Sequence, residues 1–146
     1  MRNTHFLLTK NPETVNTQFP NAFVGLLDGK KATHTKAFFE EIAQALNFPE
    51  ESGTNLDALD EMLNDLGWID QEQVILLISQ SNDWLSNEKS IDKILTIIDI
   101  MDATAEDWKW MDEEEGVDKK ELKIILEDSP RIRALLEEQE IPFGEI

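Results

Sequence analysis

The sequence contains no cysteine and only two histidines among its 146 residues. The absence of cysteine excludes a disulfide framework, a thiolate metal site and a thiol nucleophile. His5 and His34 are the only imidazoles, and we expect both to be surface residues rather than catalytic bases. A glycine-rich phosphate loop and a serine-centred nucleophile elbow are missing as well. The sequence therefore predicts a protein that is not an enzyme and that needs no cofactor and no metal.

Long apolar runs are also absent. No stretch approaches the ~20 apolar residues that a membrane span requires, and residues 1–5, MRNTH, lack the apolar segment of a signal peptide. We therefore expect a cytoplasmic protein that does not bind membranes. The length fits one domain, which we expect to be a monomer.

Basic residues are missing from one long stretch of the chain. No lysine or arginine occurs from Ala37 to Glu88, although this stretch holds 12 Asp and Glu residues. These residues account for two-thirds of the net charge of −18, because the rest of the chain has 19 acids against 13 bases. Such a field repels nucleic acid and attracts basic proteins. The charge distribution predicts a cationic protein partner and no nucleic-acid partner.

Three short apolar segments predict buried strands, at Ala22–Leu27, Val74–Ile78 and Leu122–Leu126. Helical patterns separate them. These patterns run from Thr33 or Thr35 to Leu46, from Leu56 to Leu66, from Ile91 through Met101 with a second helix or kinked continuation to about Met111, and from Ser129 onward. Strands that alternate with helices predict an α/β fold, in which a three-stranded parallel sheet is covered by helices.

The two ends of the chain are expected to extend this core. Residues 1–20 are polar apart from residues 6–8, FLL, and predict a loose N-terminal arm with at most one short strand. Residues 21–146 are then the domain. Ser129 followed by Pro130 is a typical helix start, so the domain includes an extra C-terminal helix.

The helix predicted from Leu56 to Leu66 separates apolar from acidic residues. At about 100° per residue, its four leucines form one buried stripe, and its acids lie on the opposite side. Asn55 is a good N-cap and Gly67 a natural C-terminal cap. A solvated acidic surface is the ordinary interpretation of such a helix. The lack of any basic neighbour favours a surface that binds a cationic partner instead.

The segment at residues 48–59, FPEESGTNLDAL, resembles the central signature of the barstar family of ribonuclease inhibitors. The resemblance covers residues 22–78 and continues more loosely to the strand at 122–126. It implies a partner that is a basic secreted ribonuclease, whose active site is blocked by this loop and helix. Asp57 matches an inhibitory aspartate of the family, and Glu61 matches its second acid, with a side chain one methylene longer.

The sequence also departs from the family pattern. Glu51 and Ser52 stand where the best-known member has aromatic residues, and Asp60 replaces an aromatic residue on the helix. The predicted face is therefore more acidic and less apolar, which suggests a different target or weaker hydrophobic anchoring. The predicted partner-binding residues are Glu51, Gly53, Thr54, Asn55, Asp57, Asp60, Glu61, Asn64 and Asp65.

Two other functions remain open at this point. An acidic interaction module of the same fold would bind a basic protein that is not a nuclease, or a second copy of itself. A Mg²⁺-dependent hydrolase would use Asp57, Asp60 and Glu61 as ligands. Trp108 and Trp110 point to different sides of a helix, so we expect one to lie in the core. The other is either a candidate anchor for a partner or packs inward as well.

Overall fold

A computed structural model describes residues 5–49, 55–110 and 119–146. Its strands form one sheet in which every neighbouring pair is parallel, in the spatial order β2-β3-β4-β1-β5. The strands are β1 (Phe6–Thr9), β2 (Phe23–Asp28), β3 (Gln73–Ser79), β4 (Glu121–Glu127) and β5 (Phe143–Glu145). The helices are α1 (Val15–Gln18), α2 (Thr35–Ala45), α3 (Leu56–Asp65), α4 (Ile91–Trp110) and α5 (Pro130–Glu138), with 3-10 turns at Pro12–Thr14 and Gly29–Lys31.

The α/β class and the parallel sheet are as predicted, but the number of strands is wrong. The three predicted strands are β2, β3 and β4, and the described residues form a sheet of five. Strand β1 pairs with β4, with Phe6 opposite Ile124, and β5 pairs with the other side of β1. Both extra strands are too short to carry a periodic signal of their own. They are strands because the neighbouring backbone supplies their hydrogen-bond partners.

Residues 6–9 form the one short strand that was allowed for in the N-terminal arm, but β1 is an interior strand and not part of a loose arm. Phe6 and Leu8 are almost completely buried. Beyond β1, the short helix α1 covers the far face of the sheet, where Val15 packs with Ile75, Leu77 and Ile125. The N-terminal residues therefore supply both a strand and one of the two apolar layers.

The connections explain why the two faces of the sheet are covered so unequally. The chain passes from β2 to β3, β4 and β5 in one direction across the sheet, so right-handed crossovers place α2, α3, α4 and α5 on the same face. The connection from β1 to β2 runs in the opposite direction and covers the other face. The larger core cluster therefore joins all four long helices to one sheet face.

Two helices differ in detail from the prediction. Helix α2 begins at Thr35, and its cap is His34, whose Nδ1 accepts a hydrogen bond from the Ala37 N–H at 3.3 Å. Helix α4 is one continuous helix through the fully buried Thr104. In the described part of the chain, α4 included, no helix combines the length and apolar character needed to span a membrane.

Candidate protein-binding face

Helix α3 turns its leucines toward the core, as predicted. Leu59, Leu63 and Leu66 are buried, and Leu56 is half-buried against the same cluster. The helix also packs on α4, where the Trp108 indole N–H donates to the Leu63 carbonyl at 2.8 Å. This bond satisfies a carbonyl in the last turn of α3, where intrahelical donors run out. The contact fixes how α3 is rotated, and therefore which residues it exposes.

The two ends of α3 are capped by different means. Asn55 has an extended backbone, and its Oδ1 accepts a hydrogen bond from the Ala58 N–H at 2.8 Å, as predicted for an N-cap. At the other end, the left-handed residue is Leu66, with φ of 53°, and the prediction of Gly67 for this role is wrong. Burial of the Leu66 side chain accounts for this, because packing outweighs the modest cost of positive φ.

The outer side of α3 is acidic and exposed. Asp57, Asp60, Glu61, Asn64 and Asp65 all face solvent, and we call these five residues the acidic face. The Asn64 amide donates to the Asp60 carbonyl at 2.8 Å and to the Asp60 carboxylate at 3.0 Å. The Asp65 carboxylate accepts from the Gly67 N–H at 3.1 Å. Within the described ranges, Asp57 and Glu61 accept no side-chain hydrogen bond, so both carboxylates point at water.

No cation neutralises this face among residues 5–49, 55–110 and 119–146. Like charges at i, i+3 and i, i+4, such as Asp57 with Asp60 and with Glu61, cost a few tenths of a kcal/mol each. Asp57 regains part of this cost at the positive end of the helix dipole, whereas Asp65 sits at the unfavourable end. The ion pairs found in these ranges lie elsewhere: His5–Glu106, Lys109–Glu106, Lys123–Glu121, Arg133–Asp128 and Arg133–Glu145.

Part of the predicted binding surface is not placed. Glu51, Gly53 and Thr54 lie outside the described residues, so the loop that precedes α3 adds no geometry to the site. Asn55 is placed, and its side chain caps the helix. A partner-binding role for any of these four residues stays a prediction.

The acids of α3 do not form a metal site in the described part of the chain. No group of three or more histidine, aspartate and glutamate side chains is arranged there to hold a metal ion. Asp57, Asp60 and Glu61 are therefore not such a ligand group, although they share one surface.

Trp108 and Trp110 point to different sides of α4, as predicted. Trp108 is buried and Trp110 is 70% exposed, so one packs in the core and the other reaches solvent. Trp84 is fully buried. Trp68 is half-buried at the rim, where its indole N–H donates to the Leu46 carbonyl at 2.8 Å. The acidic residues that follow Trp110, at positions 112–115, lie outside the described ranges.

A second charged site was not predicted. His5, which was expected at the surface, is buried, and the chain places it with Lys109 beside the lysines at positions 119, 120 and 123, around one pocket. Residues this far apart in sequence form no local motif. The one available signal was three lysines within five residues of an otherwise acidic chain.

The chain matches the model of a known protein family. The family described as Barstar (barnase inhibitor) matches residues 22–127. This range begins just before β2 and ends with β4, so it contains α2, α3, α4 and the three predicted strands. Strand β1, helix α5 and strand β5 lie outside it. Among curated proteins, no match is found.

The fold is similar to that of a solved structure. The ORC2 protein of Aeropyrum pernix, solved with ADPNP and ADP, superposes with a TM-score of 0.55 at 9% sequence identity. The match covers 99% of the present chain but only 41% of the other. At this identity, the similarity supports the α/β fold alone.

Proposed function

The chain belongs to the barstar family, and from this membership together with the acidic face we propose that it binds and blocks a basic ribonuclease. The observation that carries the proposal is the exposed outer side of α3, where four carboxylates have no cationic neighbour in the described ranges. Repulsion between these carboxylates raises the free energy of the folded protein when it is alone. A cationic partner removes that cost.

Carboxylates suit the active site of a ribonuclease because of what such a site must hold. Basic side chains that bind a phosphodiester also bind a carboxylate through charge-assisted hydrogen bonds. Asp57 and Glu61 lie one turn apart on the exposed side of α3. We assign the inhibitory contacts to these two side chains. Glu61 can reach one methylene farther than an aspartate, and its exposure leaves the side chain room to adjust.

The other polar residues of the acidic face surround this pair. Asp60 is held by Asn64, and Asp65 by the backbone N–H of Gly67. Their carboxylates are already partly satisfied, so we propose that they contribute to the attraction of the partner at a distance rather than to buried contacts. Thr54, Gly53 and Glu51 are proposed to contact the partner from the preceding loop.

A second candidate function is an interaction module that binds a basic protein without blocking RNA cleavage. Asp60 favours it, because this charged and exposed side chain occupies a place where the best-known family member has an aromatic anchor. Loss of such an anchor weakens the fit to a nuclease pocket. It does not weaken attraction to a cationic surface in general.

The experiment uses barnase, the nuclease named in the family description, as the probe. RNA cleavage by barnase should fall as the protein is added, and the protein alone should cleave no RNA with or without Mg²⁺. A variant with Asp57→Ala and Glu61→Ala should lose inhibition. The matched control, Glu40→Ala with Asp70→Ala, removes the same charge from exposed positions outside the acidic face and should still inhibit.

Three results would contradict the proposal. Unchanged RNA cleavage without complex formation would exclude inhibition of this nuclease. Complex formation that leaves cleavage intact would favour the interaction module. Metal-dependent turnover by the protein alone that disappears in Asp57→Asn would favour the hydrolase.

A further inference from the structure

Helix α3 is joined to the rest of the fold by packing and by one directional contact. Its leucines pack in the core, and the Trp108 indole N–H of α4 donates to the Leu63 carbonyl at 2.8 Å. Within residues 5–49, 55–110 and 119–146, this is the one hydrogen bond between α3 and another helix or strand. Hydrophobic packing is non-directional, whereas a hydrogen bond weakens steeply as its angle changes. The Trp108 bond is therefore the contact that can set the rotation of α3 about its axis.

Both partners of this bond are held in place. Trp108 lies in the last turn of α4, is 5% exposed, and belongs to the core cluster. In a longer helix, the Gly67 N–H would bond the Leu63 carbonyl. It donates to the Asp65 carboxylate instead, at 3.1 Å. In the described part of the chain, the indole is thus the partner of a buried carbonyl that the helix itself leaves without a donor.

The rotation of α3 decides where its inhibitory carboxylates point. At about 100° per residue, Glu61 and Asp57 lie about 200° and 240° around the axis from Leu63, on the opposite side of the helix. A side-chain end about 5–6 Å from the axis moves by about 2 Å when the helix turns by about 20°. Charge-assisted hydrogen bonds to a carboxylate span only about 2.7–2.9 Å. A rotation of that size would break such a bond to a partner.

We infer that Trp108 is a positioning residue for the acidic face, because its bond to Leu63 sets the direction in which Asp57 and Glu61 leave α3. This role rests on the proposed function, since it concerns the same surface. Trp108 carries no charge and is buried, so it neither attracts a cationic partner nor forms the outer surface that a partner meets. Its loss should leave the encounter with a partner unchanged and should weaken the hold on a bound partner.

The rates of binding to barnase separate positioning from attraction. Trp108→Phe should change the association rate by less than about twofold, because the charge of the protein is the same. The dissociation rate should rise by at least about tenfold, since misplaced carboxylates lose their buried partners. Thermal melts first identify a temperature at which the parent and the variant are both fully folded. The rates are measured there, so that lost stability does not enter them.

Trp84→Phe is the matched control, because it makes the same change at a second buried tryptophan. Trp84 lies between β3 and α4, is fully buried, and packs against Phe38. Its indole N–H has no hydrogen-bond partner within the described ranges. The control therefore leaves a similar void without removing a bond to α3. Its dissociation rate should stay within about twofold of the parent.

A double-mutant cycle tests whether Trp108 acts through Glu61. In a Glu61→Ala background, the effect of Trp108→Phe on affinity should be at least about threefold smaller than in the parent, because one of the positioned carboxylates is already gone. Trp84→Phe should have the same small effect in both backgrounds. Substitutions without a shared contact add. A full effect of Trp108→Phe in both backgrounds would therefore contradict positioning.

Measurements on the free protein distinguish failure of this role from failure of the proposed function. Residual dipolar couplings of the backbone N–H groups should show α3 reoriented relative to the sheet in Trp108→Phe and unchanged in Trp84→Phe. In the parent, the Trp108 indole N–H should exchange with solvent at least about a hundredfold more slowly than that of the exposed Trp110. If the parent does not bind barnase, the proposed function fails, and these couplings still decide whether Trp108 orients α3.

Three results would overturn the inference. These are a dissociation rate of Trp108→Phe equal to that of the parent, an α3 orientation that is the same with and without the indole, and exchange of the Trp108 N–H as fast as that of Trp110. The exchange is measured on the parent protein, so this test holds even if Trp108→Phe fails to fold.

Discussion

Asp57 and Glu61 differ from the ion-paired residues of this chain, such as Asp128, in what surrounds them. Arg133 binds the Asp128 carboxylate through two hydrogen bonds of 2.7 and 2.9 Å. The Asp128 carboxylate therefore has a structural partner in the folded protein. Asp57 and Glu61 have only water as a partner in the described ranges, and their nearest charged neighbours on α3 are other acids. Their charge therefore forms no ion pair that stabilises the fold, and only Asp57 gains from the helix dipole.

This difference predicts that the two acids are dispensable for stability. Asp57→Ala and Glu61→Ala should each change the free energy of unfolding by no more than about 0.5 kcal/mol, as at ordinary surface sites, or raise it by relieving repulsion. Urea denaturation of each variant beside the parent measures this. A loss above about 2 kcal/mol in either variant would mean that the acid has a structural partner.

At the scale of elements, the contact between α3 and α4 holds the acidic face in place. The Trp108 indole is buried, and its N–H satisfies the Leu63 carbonyl. The neighbouring Trp110 is exposed, and its indole N–H donates to Glu106 at the surface. The two residues offer a matched comparison of a buried and an exposed indole on the same helix.

Trp108→Phe should destabilise the protein by roughly 1–3 kcal/mol, because it leaves a buried carbonyl without a donor and a small void beside it. Trp110→Phe should stay within about 0.5 kcal/mol of the parent. Thermal and urea unfolding of the two variants make the comparison. Equal effects would mean that the Leu63 bond does not matter for docking α3 on α4.

Arg133 joins three elements at the edge of the sheet where strands β4 and β5 end. It lies in α5, binds Asp128 just after β4, and also binds Glu145 in β5. The Arg133 hydrogen bonds lower the pKa of the Asp128 carboxyl below its ordinary value. A carboxyl with a lowered pKa in the folded state stabilises the protein above its unfolded pKa, and this contribution disappears as the pH falls through the folded pKa.

Asp128→Asn should therefore destabilise the protein most near neutral pH. The difference in unfolding free energy from the parent should shrink as the pH falls below about 4, the ordinary pKa of aspartate. Urea denaturation between pH 7 and pH 3 measures the trend, and Asp70→Asn, at an exposed position, is the control. A difference that is independent of pH would show that the ionised carboxylate is not what Arg133 stabilises.

The elements also show which features the sequence can predict. Apolar runs such as Val74–Ile78 predict strands directly, and the leucine spacing of α3 predicts both its buried and its exposed side. Strand β5 contains one apolar aromatic, Phe143, beside a glycine and an acid, so no local pattern marks it. The left-handed conformation of Leu66 depends on packing of its side chain, which sequence spacing does not reveal.

At the scale of the whole molecule, the sheet and the charge distribution have separate roles. Strands β2, β3 and β4 with their helices lie within the range that matches the family, while β1 and β5 extend the sheet beyond it. The twelve acids between Ala37 and Glu88 create a field on one stretch of the chain. This electrostatic field would attract a cationic protein at a distance, before the two surfaces touch.

Association with barnase should therefore depend strongly on salt. Raising the ionic strength should slow association, because the Debye length shrinks to about 8 Å at 0.15 M and steering is lost. Dissociation should change much less, since contacts buried in the complex are poorly screened. Stopped-flow mixing at several salt concentrations separates the two rates. An association rate that is insensitive to salt would contradict electrostatic steering.

Titration of single variants against barnase tests whether Asp57 and Glu61 are the inhibitory contacts. Asp57→Ala and Glu61→Ala should each weaken binding by about 2–5 kcal/mol, because a buried cation on the nuclease loses its partner. Complexes of this family are among those from which this general range comes. Glu61 should matter at least as much as Asp57, and Glu40→Ala should bind like the parent. If both α3 variants bind barnase as tightly as the parent does, the inhibitory surface lies elsewhere on the molecule.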